Sequence, residues 1–399
     1  MSPEEQKSDS IFIIAGEASG DLHGSMLVKA YRELDPRVRF CGIGGKGLEE
    51  AGADLLFSNT RLAVVGLFEI LAHAADIIKA YRQVIGWLAE NRPRALVLID
   101  YPEFNLLVAS RAKKLGIPVF YYISPQIWAW RQGRVRKIKA LVDKMAVILP
   151  FEKEFYARFG MDVEFVGHPL LDVVRPSQGR EEFLQGLGLD PGMDTVALLP
   201  GSRRGEVRRH LGMMLDAALS IQRGLGGACQ FVIPEAPGLS GEIKGFISQE
   251  VERASAGSGL KAAICRKATY DAIHASRLVI LASGTVALEA CILNRPMIVT
   301  YRLSPITYHL GRRLIKVRWA SLVNLIADRQ VVPELLQDDA RPDRIAEEAL
   351  AILGSRKRQE AMKASLQEVT ARLGQKGAAK KAALLLKGLI ERSRQQPTP

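Results

Sequence analysis

The sequence predicts an α/β protein with two tandem Rossmann-like domains that face each other across a cleft, followed by a C-terminal helical tail. Short β-branched runs alternate with helical stretches, as in parallel sheets covered by helices. This alternation breaks once near residue 170 and then restarts, and beyond residue 340 only helical patterns occur. We therefore predict two domains and a tail that packs back on them: 1–170, 171–340 and 341–399.

In the first half, the apolar runs that predict strands end in turns rich in glycine and acidic residues. ALVLID and VFYYIS are nearly continuous apolar runs, which is typical of strands that are covered on both faces. A helix is expected over Leu22–Leu34, after the first strand. The predicted strands of this half are Ile11–Ala15, Val38–Ile43, Ala95–Asp100, Val119–Ser124, Met145–Leu149 and Val163–Val166.

The domain boundary is predicted from two segments, Gly167–Pro169 and Arg175–Gly179, which are punctuated like an interdomain connection. His168 lies in this hinge, where we expect it to make an interdomain hydrogen bond. The rhythm of strand, turn and helix then repeats. The predicted strands of the second half are Thr195–Leu199, Gln230–Ile233, Ala262–Cys265, Leu278–Leu281 and Met297–Thr300.

Composition limits the possible classes of protein. The 399 residues are 48% hydrophobic and 25% charged, with four separated cysteines, no signal-like N-terminus and no uncharged apolar run of membrane-spanning length. This favours a cytosolic protein with reduced thiols. The net charge of +12 is uneven, since residues 1–170 hold 22 Lys and Arg against 20 Asp and Glu. The basic excess predicts an acidic partner: nucleic acid, anionic lipid or a phosphorylated substrate.

The turn after the Leu278–Leu281 strand predicts an anion site. Ser283, Gly284 and Thr285 are small, and the helix that follows leaves backbone N–H groups open to a phosphate. Glu289 comes about one helical turn later, where its carboxylate can accept hydrogen bonds from sugar hydroxyls. The alternative interpretation is an ordinary, well-capped turn of a parallel sheet.

A second turn in the same domain has similar chemistry. Gly201, Ser202 and Arg203 follow the VALLP strand, so that backbone N–H groups and a guanidinium form another corner suited to an anion. Two such turns in one domain indicate a diphosphate. The alternative is a tight Gly-Ser turn with a surface arginine.

In the first domain, Asp100 lies at the tip of the ALVLID strand, where a carboxylate can act as a general base or bind a substrate hydroxyl. The alternative is an N-cap for the next helix. The GEASGD turn at 16–21 lacks the GxGxxG fingerprint. Its Glu17 and Asp21 offer acceptors for hydroxyls, and a capping role remains open for Asp21.

SPQIWAWR at 124–131 puts two tryptophans beside a basic helix, which favours stacking on a sugar, a base or an acyl chain, or contact with anionic head groups. A buried tryptophan pair with a solvated helix is the alternative. The theme of arginine and tryptophan recurs at 312–319. No histidine cluster, GxSxG elbow or Walker loop occurs, so that we expect no metal site, no cofactor and no NTPase chemistry.

Taken together, these stretches resemble the lipid-A-disaccharide synthases, inverting glycosyltransferases of GT-B architecture. The resemblance spans residues 11–337, and the helical tail carries little of it. Two departures are Glu103, where Asp is expected, and Asp328, where Gly is usual. The matching stretches are GEASGD, IDYPEFN, SPQIWAWR, LPFEKEFY, VGHPLLD, LLPGSRRGEV, ASGTVALE and SLVNLIADR.

The resemblance implies a UDP-linked diacylglucosamine donor, a diacylglucosamine 1-phosphate acceptor, and a β-1,6-linked disaccharide 1-phosphate with UDP as products. It implies metal-independent chemistry, in which Asp100 is the base and Arg203 a second catalytic residue. Donor contacts are expected from Gly201, Ser202, Arg203, Ser283, Gly284, Thr285, Glu289 and Asn324, and acceptor contacts from Glu17, Ser19, Gly20, Trp128 and Arg131.

The acyl chains of both substrates need apolar surface, and the Leu62–Leu88 region has helical spacing that could supply it, or that could belong to a core helix. We expect peripheral attachment to the inner face of the bacterial inner membrane and leave a homo-oligomer open. Rival interpretations are a cell-wall glycosyltransferase, a UDP-N-acetylglucosamine 2-epimerase and a non-catalytic nucleic-acid-binding protein. No nucleic-acid motif occurs, so that we expect no such partner.

Overall fold

The computed structural model describes residues 9–58, 74–303 and 317–395. The chain divides into two compact units, and it passes between them twice. The first unit contains the chain up to Asp172 together with the chain from Leu373, and the second spans Val173–Arg372. This division differs from the predicted one in the tail, because its last helix packs against the first sheet while its earlier helices pack in the second unit.

The first unit contains a seven-stranded parallel sheet with the order β3-β2-β1-β4-β5-β6-β7. Its central strands are completely buried, as their continuous apolar sequences predict. The strands are β1 (Ser10–Ala15), β2 (Arg39–Gly44), β3 (Asp54–Ser58), β4 (Ala95–Ile99), β5 (Val119–Tyr122), β6 (Lys144–Val147) and β7 (Glu164–Phe165).

Helices connect these strands. The helices up to the first crossing are α1 (Ala18–Leu34), α2 (Lys46–Glu50), α3 (Ala74–Asn91), α4 (Pro102–Lys114), α5 (Ile127–Trp130), α6 (Val135–Leu141), α7 (Glu152–Ala157) and α8 (Leu170–Val173), with a 3₁₀ turn at Gln132–Arg134. The predicted helix after β1 therefore begins four residues earlier than expected.

The second unit contains a six-stranded parallel sheet with the order β10-β9-β8-β11-β12-β13. Its strands are β8 (Asp194–Leu199), β9 (Cys229–Glu235), β10 (Ala262–Arg266), β11 (Leu278–Ala282), β12 (Met297–Tyr301) and β13 (Glu334–Leu336). Its helices are α9 (Arg180–Gly186), α10 (Arg204–Gly224), α11 (Gly241–Ser255), α12 (Thr269–Ala275), α13 (Val286–Ile292), α14 (Leu322–Ala327), α15 (Pro342–Leu353) and α16 (Arg356–Arg372), with a 3₁₀ turn at Gln337–Asp339.

The final helix, α17 (Ala378–Gln395), returns to the first unit, where it packs against α1, β5 and β6. The returning chain is tied down beside the first crossing. The backbone N–H of His168 donates to the carbonyl of Leu373 over 2.9 Å, and the N–H of Gly377 donates to the carboxylate of Asp172 over 2.9 Å. The prediction that His168 bonds to the other domain is therefore wrong, because this partner lies within its own unit.

In both sheets the strand order reverses beside the first strand, between β1 and β4 and between β8 and β11. Ala15 pairs with Ile99 in one sheet, and Leu199 pairs with Leu281 in the other. The turns that follow paired strands therefore lie side by side at the carboxyl edge, where open parallel sheets bind ligands. This brings GEASGD beside Asp100, and the Gly201–Arg203 turn beside the Ser283–Thr285 turn.

Asp21 connects two of these loops. Its buried carboxylate accepts hydrogen bonds from the backbone N–H groups of Gly45, Gly47 and Leu48 over 2.6, 2.8 and 3.1 Å, and so caps α2 from a distant part of the chain. The capping role that the sequence left open for Asp21 is thus confirmed, although the helix it caps is α2 and not α1.

We predict that Asp21→Ala lowers the free energy of unfolding by ~2 kcal/mol, because three backbone donors, those of Gly45 and Gly47 part-buried and that of Leu48 buried, lose a charged acceptor. Urea unfolding followed by circular dichroism measures the change. The control is Asp54→Ala, since Asp54 forms an exposed ion pair with Arg39 and its loss should cost less than ~1 kcal/mol. Equal losses for the two variants would contradict the capping role.

Candidate functional site

The backbone around Asp100 is strained. Asp100 and Tyr101 have φ values of 46° and 45°, and Ile123, which follows β5, has a φ of 66°. Non-glycine residues seldom adopt this left-handed conformation, and for a β-branched isoleucine it is an outlier. Three such residues at neighbouring strand ends point to a functional site. The N-cap of α4 is Tyr101, so that Asp100 does not hold the N-cap position that the sequence allowed for it.

The GEASGD turn packs directly against this backbone. A Cβ atom on Gly16 would lie 2.5 Å from Cγ of Tyr101, so that only glycine fits beneath that ring. Burial, followed by the charges of Glu17 and Glu103, raises the pKa of Tyr101. Glu17 therefore lies near the Asp100 turn, as the sequence predicts for residues that act together.

Two of the predicted acceptor contacts in this turn have different environments. Ser19 is exposed on the first turn of α1 and is therefore accessible to a ligand. Gly20 is buried, and a Cβ atom placed there would lie 3.6 Å from side-chain atoms of Ala15 and Ile99. These are ordinary van der Waals distances, so that Gly20 faces the sheet without being required for its packing, and the prediction that it contacts the acceptor finds no support.

Trp128 is only 6% exposed, and its indole N–H donates to Oε1 of Glu152 over 3.2 Å. Glu152 is buried as well, and its other oxygen accepts from the backbone N–H groups of Ile148 and Leu149. Burial raises the pKa of Glu152 to about 7, against the lowering effect of these hydrogen bonds. Trp128 thus belongs to the core. This burial argues against the prediction that its ring contacts the acceptor.

The second tryptophan of the segment is the exposed one. Trp130 is 40% exposed, and the guanidinium of Arg131 lies 4.3 Å from the centre of its ring. Arg131 and Arg134 also form ion pairs with Glu103, over 3.2 and 2.7 Å. The acidic residue that departs from the family pattern therefore orders the two arginines. Arg131 remains accessible for the predicted acceptor contact.

In the second unit, Glu206 changes the interpretation of the Gly201–Arg203 turn. Its Oε2 accepts from the backbone N–H groups of Ser202 and Arg203 over 3.1 and 3.3 Å, completing a capping box at the start of α10. Gly201 has a φ of 124° and leaves room for the Glu206 side chain, which a Cβ atom would meet at 2.6 Å. The N–H groups of Ser202 and Arg203 thus have an internal anion, contrary to the prediction that the Ser202 N–H faces a phosphate, while the contact predicted for the Gly201 N–H stays a prediction.

Arg203 keeps a half-exposed side chain, and its guanidinium lies 3.9 Å from the carboxylate of Glu206. On the neighbouring turn, Ser283 donates through Oγ to the carbonyl of Ala320 over 3.0 Å. Gly284 and Thr285 are exposed at the start of α13, before its first intrahelical hydrogen bond, from Ala287 to Gly284. An anion therefore has access to the α13 end and to Arg203.

Glu289 lies in the first turn of α13, behind these exposed residues. Burial alone raises the pKa of its carboxyl group to about 7. Among the residues that the structure describes, none forms a hydrogen bond or ion pair with this carboxylate. Such a group gains most from a ligand that brings hydroxyl donors.

Asn324 is completely buried and uses both ends of its amide within one loop. Its Nδ2 donates to the carbonyl of Val332 and to Glu334 over 2.9 and 2.8 Å, while its Oδ1 accepts from the N–H groups of Val331 and Val332. The prediction that Asn324 contacts the donor is therefore wrong, because no polar atom remains for a ligand. Asp328, in the same loop, has a φ of 53°, which explains why glycine is usual there.

Sequence reasoning missed His210, which joins the ends of two strands. Its Nε2 accepts from the backbone N–H of Arg302 over 2.9 Å, so that Nδ1 is the protonated nitrogen and donates to the carbonyl of Pro200 over 3.2 Å. Burial lowers its pKa, which keeps the ring neutral. Its only distinguishing feature is its position among the apolar residues on the buried face of α10. A histidine at such a position is also expected of an ordinary core residue.

Within the described ranges, no three His, Cys, Asp or Glu side chains are grouped to hold a metal ion, and no helix is long and apolar enough to cross a membrane. Residues 62–73 of the predicted apolar region lie outside these ranges, as do the arginines Arg312 and Arg313. The described part of the apolar region lies in α3, where Ile78 is exposed and Leu88 is buried.

Comparison with known proteins gives matches over nearly the whole chain. Residues 11–387 match the family described as lipid-A-disaccharide synthetase. The lipid-A-disaccharide synthase of Syntrophus aciditrophicus (strain SB) is 46% identical over 386 residues, which is 97% of this chain and 99% of that protein. The lipid-A-disaccharide synthase of Geobacter sulfurreducens is 44% identical over 380 residues, which is 95% of this chain and 97% of that protein.

Among solved structures, the S. aureus MnaA–UDP co-structure has a TM-score of 0.62 at 11% identity and covers 98% of this chain and 99% of its own. At this identity the likeness concerns the fold alone. It agrees with the two parallel α/β sheets predicted from the sequence, so that this part of the predicted fold is confirmed.

We predict that Glu289→Gln stabilises the protein at pH 8 by ~1–3 kcal/mol. Burial raises the pKa of Glu289 from 4.5 in the unfolded chain to about 7 in the folded one, so that folding stability falls as pH rises through this window. A glutamine cannot ionise and escapes this loss. The difference between the variants should vanish as pH falls to about 4.5, which thermal unfolding at several pH values measures.

Glu252→Gln is the control, because Glu252 is an exposed residue on a helix of the same unit. It should behave like the wild type at every pH. A Glu289→Gln variant with the same pH dependence as the wild type would show that the carboxylate is not held in a desolvated site.

Proposed function

The chain belongs to the lipid-A-disaccharide synthetase family, and on that premise we propose which of its residues perform the glycosyl transfer. It is a hexosyltransferase of lipid A disaccharide synthesis. We propose that the donor is UDP-2,3-diacylglucosamine and the acceptor 2,3-diacylglucosamine 1-phosphate. The products are then the β-1,6-linked disaccharide 1-phosphate and UDP.

The observation that carries the proposal for the donor is the pair of turns at the strand-order reversal of the second sheet. The diphosphate lies on the exposed start of α13, at Gly284 and Thr285, with the Arg203 guanidinium beside it. Glu206 already accepts from the N–H groups of Ser202 and Arg203, so that we assign the Arg203 guanidinium, and not those two N–H groups, to the diphosphate. Its positive charge stabilises UDP as a leaving group.

Glu289 accepts hydrogen bonds from the ribose hydroxyls of the donor. Two features support this role: its place about one turn into α13, and the absence of any partner for its carboxylate among the described residues. Hydroxyl donors favour the ionised form of a carboxyl group and would offset the effect of burial on its pKa.

Asp100 acts as the general base in a direct displacement with inversion. Its carboxylate takes the proton of the acceptor 6-hydroxyl as that oxygen attacks C1 of the donor sugar, and the bond from C1 to the diphosphate oxygen breaks. Strain at Asp100, Tyr101 and Ile123 supports a functional role for this strand end. Glu17, Ser19 and Arg131 remain the candidates for acceptor contacts.

We further propose that the first unit attaches the protein peripherally to the inner face of the inner membrane. In the part of the chain that the structure describes, the exposed large apolar side chains all belong to this unit. Ile78 and Leu107 are 51% and 52% exposed, and Trp130 lies beside Arg131. Apolar anchors next to arginines fit anionic lipid.

We predict that Asp100→Asn lowers kcat by ~10²–10⁴-fold while the affinity for UDP stays unchanged, because a general base is lost but the diphosphate contacts remain. UDP release from the two purified substrates measures kcat, and calorimetry with UDP measures affinity. EDTA in every reaction tests whether transfer proceeds without a divalent metal.

Asp54→Asn, at an exposed carboxylate, is the matched control and should keep full activity. Near-normal turnover of a folded Asp100→Asn protein would rule out the base. Lost UDP affinity would instead place Asp100 in donor binding, and wild-type inhibition by EDTA would contradict metal independence.

For the membrane, we predict that the protein floats with liposomes that contain anionic phospholipid, and that Trp130→Ala or Leu107→Ala weakens this association severalfold. Flotation at low and at physiological salt measures it. The control is Leu198→Ala, whose site is buried in β8 of the second unit and whose effect should be confined to stability. Equal absence of binding to anionic and neutral liposomes would rule out the attachment.

A further inference from the structure

We propose that Tyr121 and Asn105 are positioning residues that hold the Asp100 backbone in its strained conformation and so aim its carboxylate at the acceptor hydroxyl. The inference rests on the proposed role of Asp100 as the base. It concerns two buried side chains that do not touch the substrate themselves.

The geometry places two donors on a single oxygen. The carbonyl of Asp100 accepts from the hydroxyl of Tyr121 over 2.6 Å and from Nδ2 of Asn105 over 2.6 Å. The same Nδ2 also donates to the carbonyl of Ile99 over 3.3 Å. Both donor side chains are completely buried, which limits the access of water to the donors. The peptide plane between Asp100 and Tyr101 is therefore fixed from two directions.

This fixation matters because the conformation is unfavourable by itself. Left-handed backbone is unfavourable for any non-glycine residue, and it persists only where surrounding contacts hold it in place. Asp100 and Tyr101 adopt it consecutively. The orientation of this peptide sets the direction of the Cα–Cβ bond of Asp100, and hence where its carboxylate points.

The next residue in β5 provides an internal comparison. Tyr122 is also completely buried, but its hydroxyl has no hydrogen-bond partner among the described residues. Successive side chains of a strand point to opposite faces, so that Tyr122 extends away from the Asp100 carbonyl. Two adjacent buried tyrosines thus differ in whether the hydroxyl holds the candidate base.

The experiment compares Tyr121→Phe with Tyr122→Phe. We expect Tyr121→Phe to lower kcat about tenfold with the KM of both substrates nearly unchanged, since one of two hydrogen bonds to the positioned peptide is lost. Tyr122→Phe should keep the wild-type kcat within about twofold. Activities are normalised to the folded fraction, determined by circular dichroism of each variant.

A double-mutant cycle separates positioning from general structural damage. In an Asp100→Asn background, where the base is already absent, Tyr121→Phe should lower the residual kcat no further. Asn105→Ala should follow the same pattern in both backgrounds. A structural role alone would move the melting temperature and would reduce turnover equally in the two backgrounds.

Three results would count against this assignment, and they are distinguishable. If Asp100→Asn abolishes turnover but Tyr121→Phe and Tyr122→Phe have equal kcat, the positioning role is overturned and the base assignment stands. An additive effect of Tyr121→Phe in the Asp100→Asn background also overturns positioning. If Asp100→Asn itself retains wild-type turnover, the base assignment fails and this inference fails with it.

Discussion

The reversal of strand order in each parallel sheet is the constraint on which the candidate site depends. At the reversal, neighbouring strands send their connections to opposite faces and leave a crevice beyond their carboxyl ends. In the first sheet this crevice lies between β1 and β4, and in the second between β8 and β11. The candidate base and the candidate diphosphate contacts each follow one of these strands, so that topology alone selects which turns are available for chemistry.

Much of this arrangement can be predicted from the sequence, because buried parallel strands have an easily recognised apolar pattern. A strand covered on both faces is apolar throughout, and the sequences of β4, β5 and β11 have this pattern. The strands that the sequence missed, β3 and β13, are short edge strands with half-exposed residues, whose composition resembles that of a loop. The central strands and their turns were therefore placed correctly, while one edge strand of each sheet was missed.

The side chains at the site were harder to predict, because their partners lie far along the chain or in unusual backbone. Trp128 bonds to Glu152, 24 residues away, and this contact moves it from ligand to core. Asn324 bonds to Glu334, ten residues away, and Glu206 accepts from Ser202, four residues away, and these contacts depend on how each loop folds. A polar residue after a strand shows that hydrogen bonding is needed there, yet it does not reveal whether protein or ligand supplies the partner.

The double crossing between the units has a consequence for biosynthesis. The second unit is one continuous segment, whereas the first needs α17, from the very end of the chain, to cover α1, β5 and β6. During translation the later unit thus has all its residues before the earlier one does, which inverts the usual N-terminal-first order. Until α17 has been synthesised, the surface of α1, β5 and β6 that it covers in the folded protein has no cover from this helix.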